Sequence, residues 1–259
     1  MSTIAIIGGG NLGKSIAQGL LTHNYKASDI TITRNKIALL DDLKAQGVQV
    51  SNDNITATQD ANIIILAIKP YKITEILREI SPIVDESKIL VSVVSDFRIE
   101  QIESNLSTTP SIVRAMPNTA SSVNESITCL ASQNASSEDM KKVESIFNSL
   151  GDTITINESL MDAATVLGAC GIAYVLRFIR GMIQGGIEIG FDAQTATKIA
   201  TQTVKGASEL LLQKGNHPEA EIDKVTTPKG CTIAGLNEME HQGFSSALIK
   251  GIKTSFDSI

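Results

Sequence analysis

Residues 3–13 read Thr-Ile-Ala-Ile-Ile-Gly-Gly-Gly-Asn-Leu-Gly, and this stretch decides the fold. An apolar run of strand length, Ile4 to Ile7, passes directly into Gly8-Gly9-Gly10-Asn11-Leu12-Gly13, a match to G-x-G-x-x-G. Residues 11–22 then place Leu12, Ile16, Leu20 and Leu21 on one side of a helix. In a strand–loop–helix of this kind the first glycine permits the tight turn and the second lets a pyrophosphate approach the backbone. The third lets the helix pack close to the strand, while the free N–H groups of the helix start hold negative charge. The expectation is a dinucleotide-binding loop that contacts its ligand through Ile7, Gly8, Gly9, Gly10, Asn11, Leu12 and Gly13.

Downstream, strand-like and helix-like segments alternate. Strands are expected at 30–33, 48–50, 63–68, 89–94 and 111–114, with amphipathic helices near 39–43, 73–80 and 99–106. A last unit runs from Ile127 through a helix at 138–150 to a strand at 153–156. This rhythm predicts α/β architecture built from parallel βαβ units, a Rossmann-type sheet domain over residues 1–157. After Asn157 the pattern becomes purely helical, which predicts a second, all-α domain over 158–259. Its breaks fall at Gly190-Phe191-Asp192, at Gly215 to Pro218 and at Pro228, with Asp192 as the N-cap of a helix reaching Lys214. The stretch from Met161 to Ile189 is apolar almost all round, so it needs cover from another subunit.

Composition narrows the classes. Apolar residues form 42% of the 259 and charged residues 19%, the balance of a soluble globular chain. A net charge of −6 without a Lys/Arg run offers no footprint for nucleic acid. Arg177, Arg180 and Glu188 interrupt the most apolar region, so no membrane span is expected, and the N-terminus lacks the pattern of a secretory signal. Cys129, Cys170 and Cys231 are odd in number and far apart, which argues against a disulfide framework and against zinc; a cytoplasmic location is the expectation.

Four further stretches carry chemistry. Thr33-Arg34-Asn35-Lys36 closes the second strand with no acid and two cations. Where an NAD enzyme places a carboxylate on the ribose 2′-hydroxyl, Arg34 suits a 2′-phosphate, which favours NADPH with NADH still possible. Ala67, Ile68, Lys69 and Pro70 stand at the exit of a buried strand, where ligands of open α/β sheets bind. Residues 114–119, RAMPNT, form another strand exit, equally readable as a cleft lining or a structural turn. Residues 225–236, VTTPKGCTIAGL, form a loop that opens a helix and can hold a carboxylate without a dedicated arginine. No cysteine has an activating His or acid nearby in sequence, and no metal-ligand cluster is visible. Hydride transfer fits, because its reactive group comes from the cofactor.

The glycine loop, AIKP at 67–70, RAMPNTA at 114–120 and VTTPKGCTIAGLNEMEHQGF at 225–244 occur in an order that resembles the pyrroline-5-carboxylate reductase family. The resemblance covers essentially the whole chain. It implies a homodimer or ring of dimers that reduces 1-pyrroline-5-carboxylate to L-proline with NADPH or NADH. Arg34 and Asn54 would face the adenosine ribose or its phosphate, and Ala67 to Pro70 the nicotinamide side. Lys224, Thr227, Gly230, Cys231 and Thr232 would hold the substrate acid. Thr232, near the imine nitrogen, and Lys69 are the catalytic candidates. Departures from the family pattern stand at Thr227, Lys229 and Cys231, where VTSPGGTT is usual. Val94-Ser95-Asp96 replaces AAG, Arg180 replaces an acid, and the SGSGPAY motif reads Gly168 to Tyr174 without its proline. They leave open a diverged paralogue acting on another small imine or carbonyl acid, or a catalytically weak NADP-binding regulator. A β-hydroxyacid dehydrogenase is disfavoured, because no lysine lies between Thr165 and Gly190.

Overall fold

A computed structural model describes residues 2–259, which divide into two compact units, one up to Cys170 and one over Gly171–Ser258. The first unit is an eight-stranded sheet with helices on both faces. Its elements are β1 (Ile4–Ile7), α1 (Asn11–Thr22), β2 (Ile30–Thr33), α2 (Asp41–Lys44), β3 (Gln49–Ser51), α3 (Asn54–Gln59), β4 (Ile63–Leu66) and α4 (Ile73–Ile80). They continue with β5 (Ile89–Ser92), α5 (Ile99–Glu103), β6 (Ser111–Met116), β7 (Ser126–Gln133), α6 (Ser137–Phe147), β8 (Gly151–Thr155) and α7 (Met161–Ala164). The strand order is β3-β2-β1-β4-β5-β6-β7-β8, so the order reverses beside β1.

Both faces of the strands are covered, which explains their unbroken apolar runs. Ile4, Ile6, Ile30, Ile32, Ile63 and Ile65 pack under Ile16, Leu20, Phe147 and Leu150. On the opposite face Ala5, Ile7, Ile64, Leu66 and Leu90 meet Leu77, Ile80, Ile99 and Ile102. Each fully buried Ile or Leu contributes about 2 kcal/mol, so this double core dominates the stability of the unit.

One strand departs from the expected all-parallel arrangement. β7 runs antiparallel to β6, with Arg114 opposite Ala131. Residues 117–125 between them hold only a 3-10 turn ending at Asn124 in the left-handed region, too short a connection for the crossover that parallel pairing needs. A parallel partner, β8, then closes the edge.

The short helix α3 is also unanticipated. Its six residues persist because both ends are clamped. Asp53 accepts the Ile55 and Thr56 amides at 2.9 and 3.2 Å. At the other end the buried Lys88 ammonium donates to the carbonyls of Thr58, Gln59 and Ala61 at 3.1, 3.0 and 2.7 Å. Residues 158–170, which the sequence assigns to the helical domain, belong to the first compact unit, and Met161 is buried against Met116 and Ala131.

The second unit holds α8 (Gly171–Glu188), α9 (Ala193–Lys214), α10 (Pro218–Val225), α11 (Cys231–His241) and α12 (Phe244–Phe256). Asp192 caps α9 by accepting the Gln194 and Thr195 amides, as expected, and Gly215 ends it in the left-handed conformation. Only Ile183, Ala196 and Ala200 form its buried apolar cluster. Tyr174, Phe178, Met182, Met239, Phe244 and Leu248 line an open apolar groove instead. The helical run Glu158–Glu188 is long and apolar enough to cross a membrane by length and composition, and 11% of its most apolar window is buried.

Candidate active site

The carboxyl ends of β1, β2, β4 and β5 converge beside the reversal in strand order, where open α/β sheets bind ligands. Ile7 ends β1 in the core, and Gly8 turns the chain at φ +112°. The Gly8 and Gly9 amides both donate to the Thr33 carbonyl, at 3.2 and 2.7 Å, so the loop is tied to the end of β2. A Cβ at Gly8 would strike the Ala67 carbonyl, and one at Gly13 would strike the Gly8 carbonyl. At Gly10 a Cβ would meet nothing within 4 Å. Two glycines therefore serve close packing, while the middle one leaves an open cradle. Gly10 also begins α1 with no side-chain cap, so the first-turn amides beyond it, next to exposed Asn11 and half-buried Leu12, face that cradle free. A dinucleotide pyrophosphate fits these donors.

Around the cradle, Arg34 is half-buried and its Nη1 donates to the Gly9 carbonyl at 2.6 Å, which lays the guanidinium across the glycine loop. Asn54 accepts the Thr33 hydroxyl at 2.7 Å and donates to Glu79 at 3.0 Å. The Ala67 amide donates to the Ile7 carbonyl at 2.8 Å, so β4 leaves the sheet against β1; Ala67 and Ile68 are half-buried, while Lys69 and Pro70 are exposed. After β5, the Val93 amide donates to the Leu66 carbonyl at 3.1 Å, and Asp96 turns the loop at φ +57°. The left-handed turn explains why the family pattern has glycine at that position.

In the second unit, residues 226–230 link α10 to α11. Lys229 sits at φ +61°, again where the family pattern carries glycine. The Gly230 amide donates to the Thr227 carbonyl at 2.9 Å, and a Cβ on Gly230 would lie 2.6 Å from the Thr227 hydroxyl. Gly230 starts α11 with no side-chain cap, followed by exposed Cys231 and half-buried Thr232. Free amides at a helix start beside a lysine can accept a carboxylate. Lys224 stands in the last turn of α10, where its ammonium meets Glu221.

Of residues 114–119, the first five resolve as a buried clasp and Thr119 is exposed. Arg114 pairs with Glu158 at 3.1 Å, and the Asn118 side chain donates to the Gly168 carbonyl at 3.2 Å. Sequence reasoning missed Glu158, an acid with no local partner to mark it. Two of the three histidines serve the scaffold: His217 caps α10 and His23 meets the Gly19 carbonyl. Burial pushes the Cys129 thiol above its ordinary pKa, away from nucleophilic duty. Among the described residues no group of His, Cys, Asp and Glu could hold a metal.

Fold and glycine loop together define a NAD(P)-dependent oxidoreductase. Residues 3–96 match a family described as NADP oxidoreductase, coenzyme F420-dependent, and residues 158–259 match pyrroline-5-carboxylate reductase dimerisation. Pyrroline-5-carboxylate reductase 2 of Dictyostelium discoideum is 43% identical over 97% of this chain and 90% of its own. Pyrroline-5-carboxylate reductase 1 of the same organism is 46% identical over 98% of the chain, which spans about half, 48%, of that relative. A solved pyrroline-5-carboxylate reductase from Coxiella burnetii superposes with a TM-score of 0.94 at 28% identity, covering 99% of this chain and 97% of that one. Another, from Plasmodium falciparum with NADP bound, gives 0.88 at 27%, covering 99% and 96%. The chain belongs to the pyrroline-5-carboxylate reductase family. The diverged-paralogue and regulator readings are not favoured by these relatives.

Proposed function

We propose that this protein reduces 1-pyrroline-5-carboxylate to L-proline with NADPH, in the cytoplasm. The observation that carries the reading is the 43% identity with a reductase of that name along nine-tenths of its length. The loop that opens α11 supplies what that substrate needs. Free amides of the helix start, with Thr227, Gly230 and Cys231 around them and Lys229 and Lys224 nearby, would hold the ring carboxylate. The Thr232 hydroxyl would hydrogen-bond the ring nitrogen, donating to a neutral imine or accepting from a protonated one, and so fix the imine carbon. A hydroxyl is a poor acid, so the proton on nitrogen comes from water or from a substrate already protonated.

The cofactor supplies the hydride. Ile7 to Gly13 would bind its pyrophosphate, Arg34 and Asn54 its adenosine end, and Ala67 to Pro70 the nicotinamide side, with Lys69 the cation closest in sequence to that end. The protein's task is alignment of the donor carbon with the imine carbon, at about 3–3.5 Å.

A second copy of the chain, rather than lipid, would cover the helical unit. Arg177 and Arg180 are exposed in the middle of α8 and would be costly in a bilayer. The dimerisation family matched over 158–259 points the same way.

The test is steady-state oxidation of NADPH with pyrroline-5-carboxylate, for the wild-type protein and Thr232→Ala. Expected are turnover by the former and a loss of about 10–100-fold in kcat by the latter with unchanged melting temperature, the scale of one lost hydrogen bond to a developing charge. NADPH binding without turnover would end the assignment. A wild-type rate for the variant would remove Thr232 from the site.

A further inference from the structure

We propose that Glu158 is a positioning residue for the loop after β5, residues 93–98, and that buried Arg114 holds it there. The proposal rests on reading that loop as part of the cofactor site.

Arg114 lies on β6 with 3% of its surface exposed, so its charge needs a partner inside the protein. Its Nη1 donates to Oε1 of Glu158 at 3.1 Å. The same oxygen accepts the backbone N–H of Ile99 at 2.8 Å. Ile99 is the first residue of α5, and its amide is one that a helix start leaves without an intrahelical acceptor. Glu158, 59 residues away in sequence, therefore caps α5 from outside. The loop between β5 and α5 is thereby tied at both ends, in front by the Val93 amide on the Leu66 carbonyl and behind by Glu158 on Ile99. Between the two ties sits Asp96 in its left-handed turn.

The ion pair is poorly suited to stability alone. Nε of Arg114 is buried with no partner among the described residues, although a carboxylate is at hand. Arg114 is buried while the Glu158 side chain is 28% exposed, and a pair that desolvates a charge in this way is often replaceable by apolar residues without loss of stability. What an apolar pair could not do is accept the Ile99 N–H and fix where α5 begins. The segment that carries Glu158 is itself held at its far end, where Asn118 donates to the Gly168 carbonyl. The two grips arise from residues 114 and 118, so β6 and its exit set the position of residues 158–170 and, through them, the loop at the cofactor end. Glu158 acts through Ile99 and touches no substrate.

The experiment compares wild type, Glu158→Gln and Glu158→Ala by three readouts: hydrogen exchange at Ile99, NADPH affinity by fluorescence titration without substrate, and melting temperature. Expected for the alanine variant are faster Ile99 exchange and NADPH binding weakened about tenfold, with glutamine in between because it keeps an acceptor but loses the charge. Should Glu158→Ala fail to fold, the glutamine variant decides by the same criterion. Unchanged NADPH affinity in the folded variants, whatever their melting temperature, overturns the proposal and leaves a purely structural pair. Since affinity is read without turnover, a wild-type protein that binds NADPH but ignores pyrroline-5-carboxylate would defeat the functional assignment and not this one.

Discussion

Gly10 and Gly13 stand three residues apart in one loop, yet a methyl group would do opposite things at the two. At Gly13 it collides with the Gly8 carbonyl, which the backbone cannot yield without breaking the turn. At Gly10 it enters open space on an extended backbone that alanine adopts freely. Gly13→Ala is therefore expected to lower thermal stability, whereas Gly10→Ala should melt as wild type and bind NADPH at least tenfold more weakly, a crowding cost on the order of 1.4 kcal/mol. Equal NADPH affinity for Gly10→Ala would empty the cradle of its assigned ligand. The motif was legible from spacing alone, but the packing that constrains Gly8 comes from Ala67 at the exit of β4, more than fifty residues downstream. Arg114 and Asn118 were visible only as part of a motif. Their partners, Glu158 and Gly168, come close through the strand order, which no local pattern records. Asp96 and Lys229 hold left-handed backbone where glycine would be free, at a cost of about 1–2 kcal/mol each.

Among elements, the helix starts capped by aspartate respond to acid in a defined way. The Thr195 hydroxyl and amide beside Asp192 hold its carboxyl below the usual range, and the Thr56 hydroxyl and amide do the same for Asp53. A carboxyl whose folded pKa lies below its unfolded value of about 3.9 contributes fully above that value and loses its contribution as pH falls through the folded pKa. Asp192→Asn is expected to lower the melting temperature at neutral pH, with the gap to wild type closing below about pH 4. A gap independent of pH would mean that charge has no part in the cap. Asp192 was readable in advance because the breaker Gly190 and the following periodicity bracket it. Helix α3 escaped notice because six residues give too little periodicity, and its Lys88 clamp arrives from the start of β5. The reversal of β7 was hidden likewise: its alternation resembles any strand, and only the shortness of residues 117–125 betrays its direction.

For the whole molecule, the contrast between the two units matters most. One closes a double core around its sheet, while the other leaves Val175, Leu176, Phe178, Ile187 and Leu248 open along its helices. An apolar surface of that extent marks an interface. Sedimentation on dilution should show no stable monomer, and a monomer that keeps its melting temperature would contradict the assignment of a second copy to this surface. The order of the units along the chain carries a consequence for biosynthesis. A ribosome delivers the sheet unit first, and domains generally fold from the N-terminal side as they emerge. The adhesive helices are translated after it, when each nascent chain already carries a finished globule, which shortens the interval in which they can be caught by chaperones or misassociate before a sister subunit arrives.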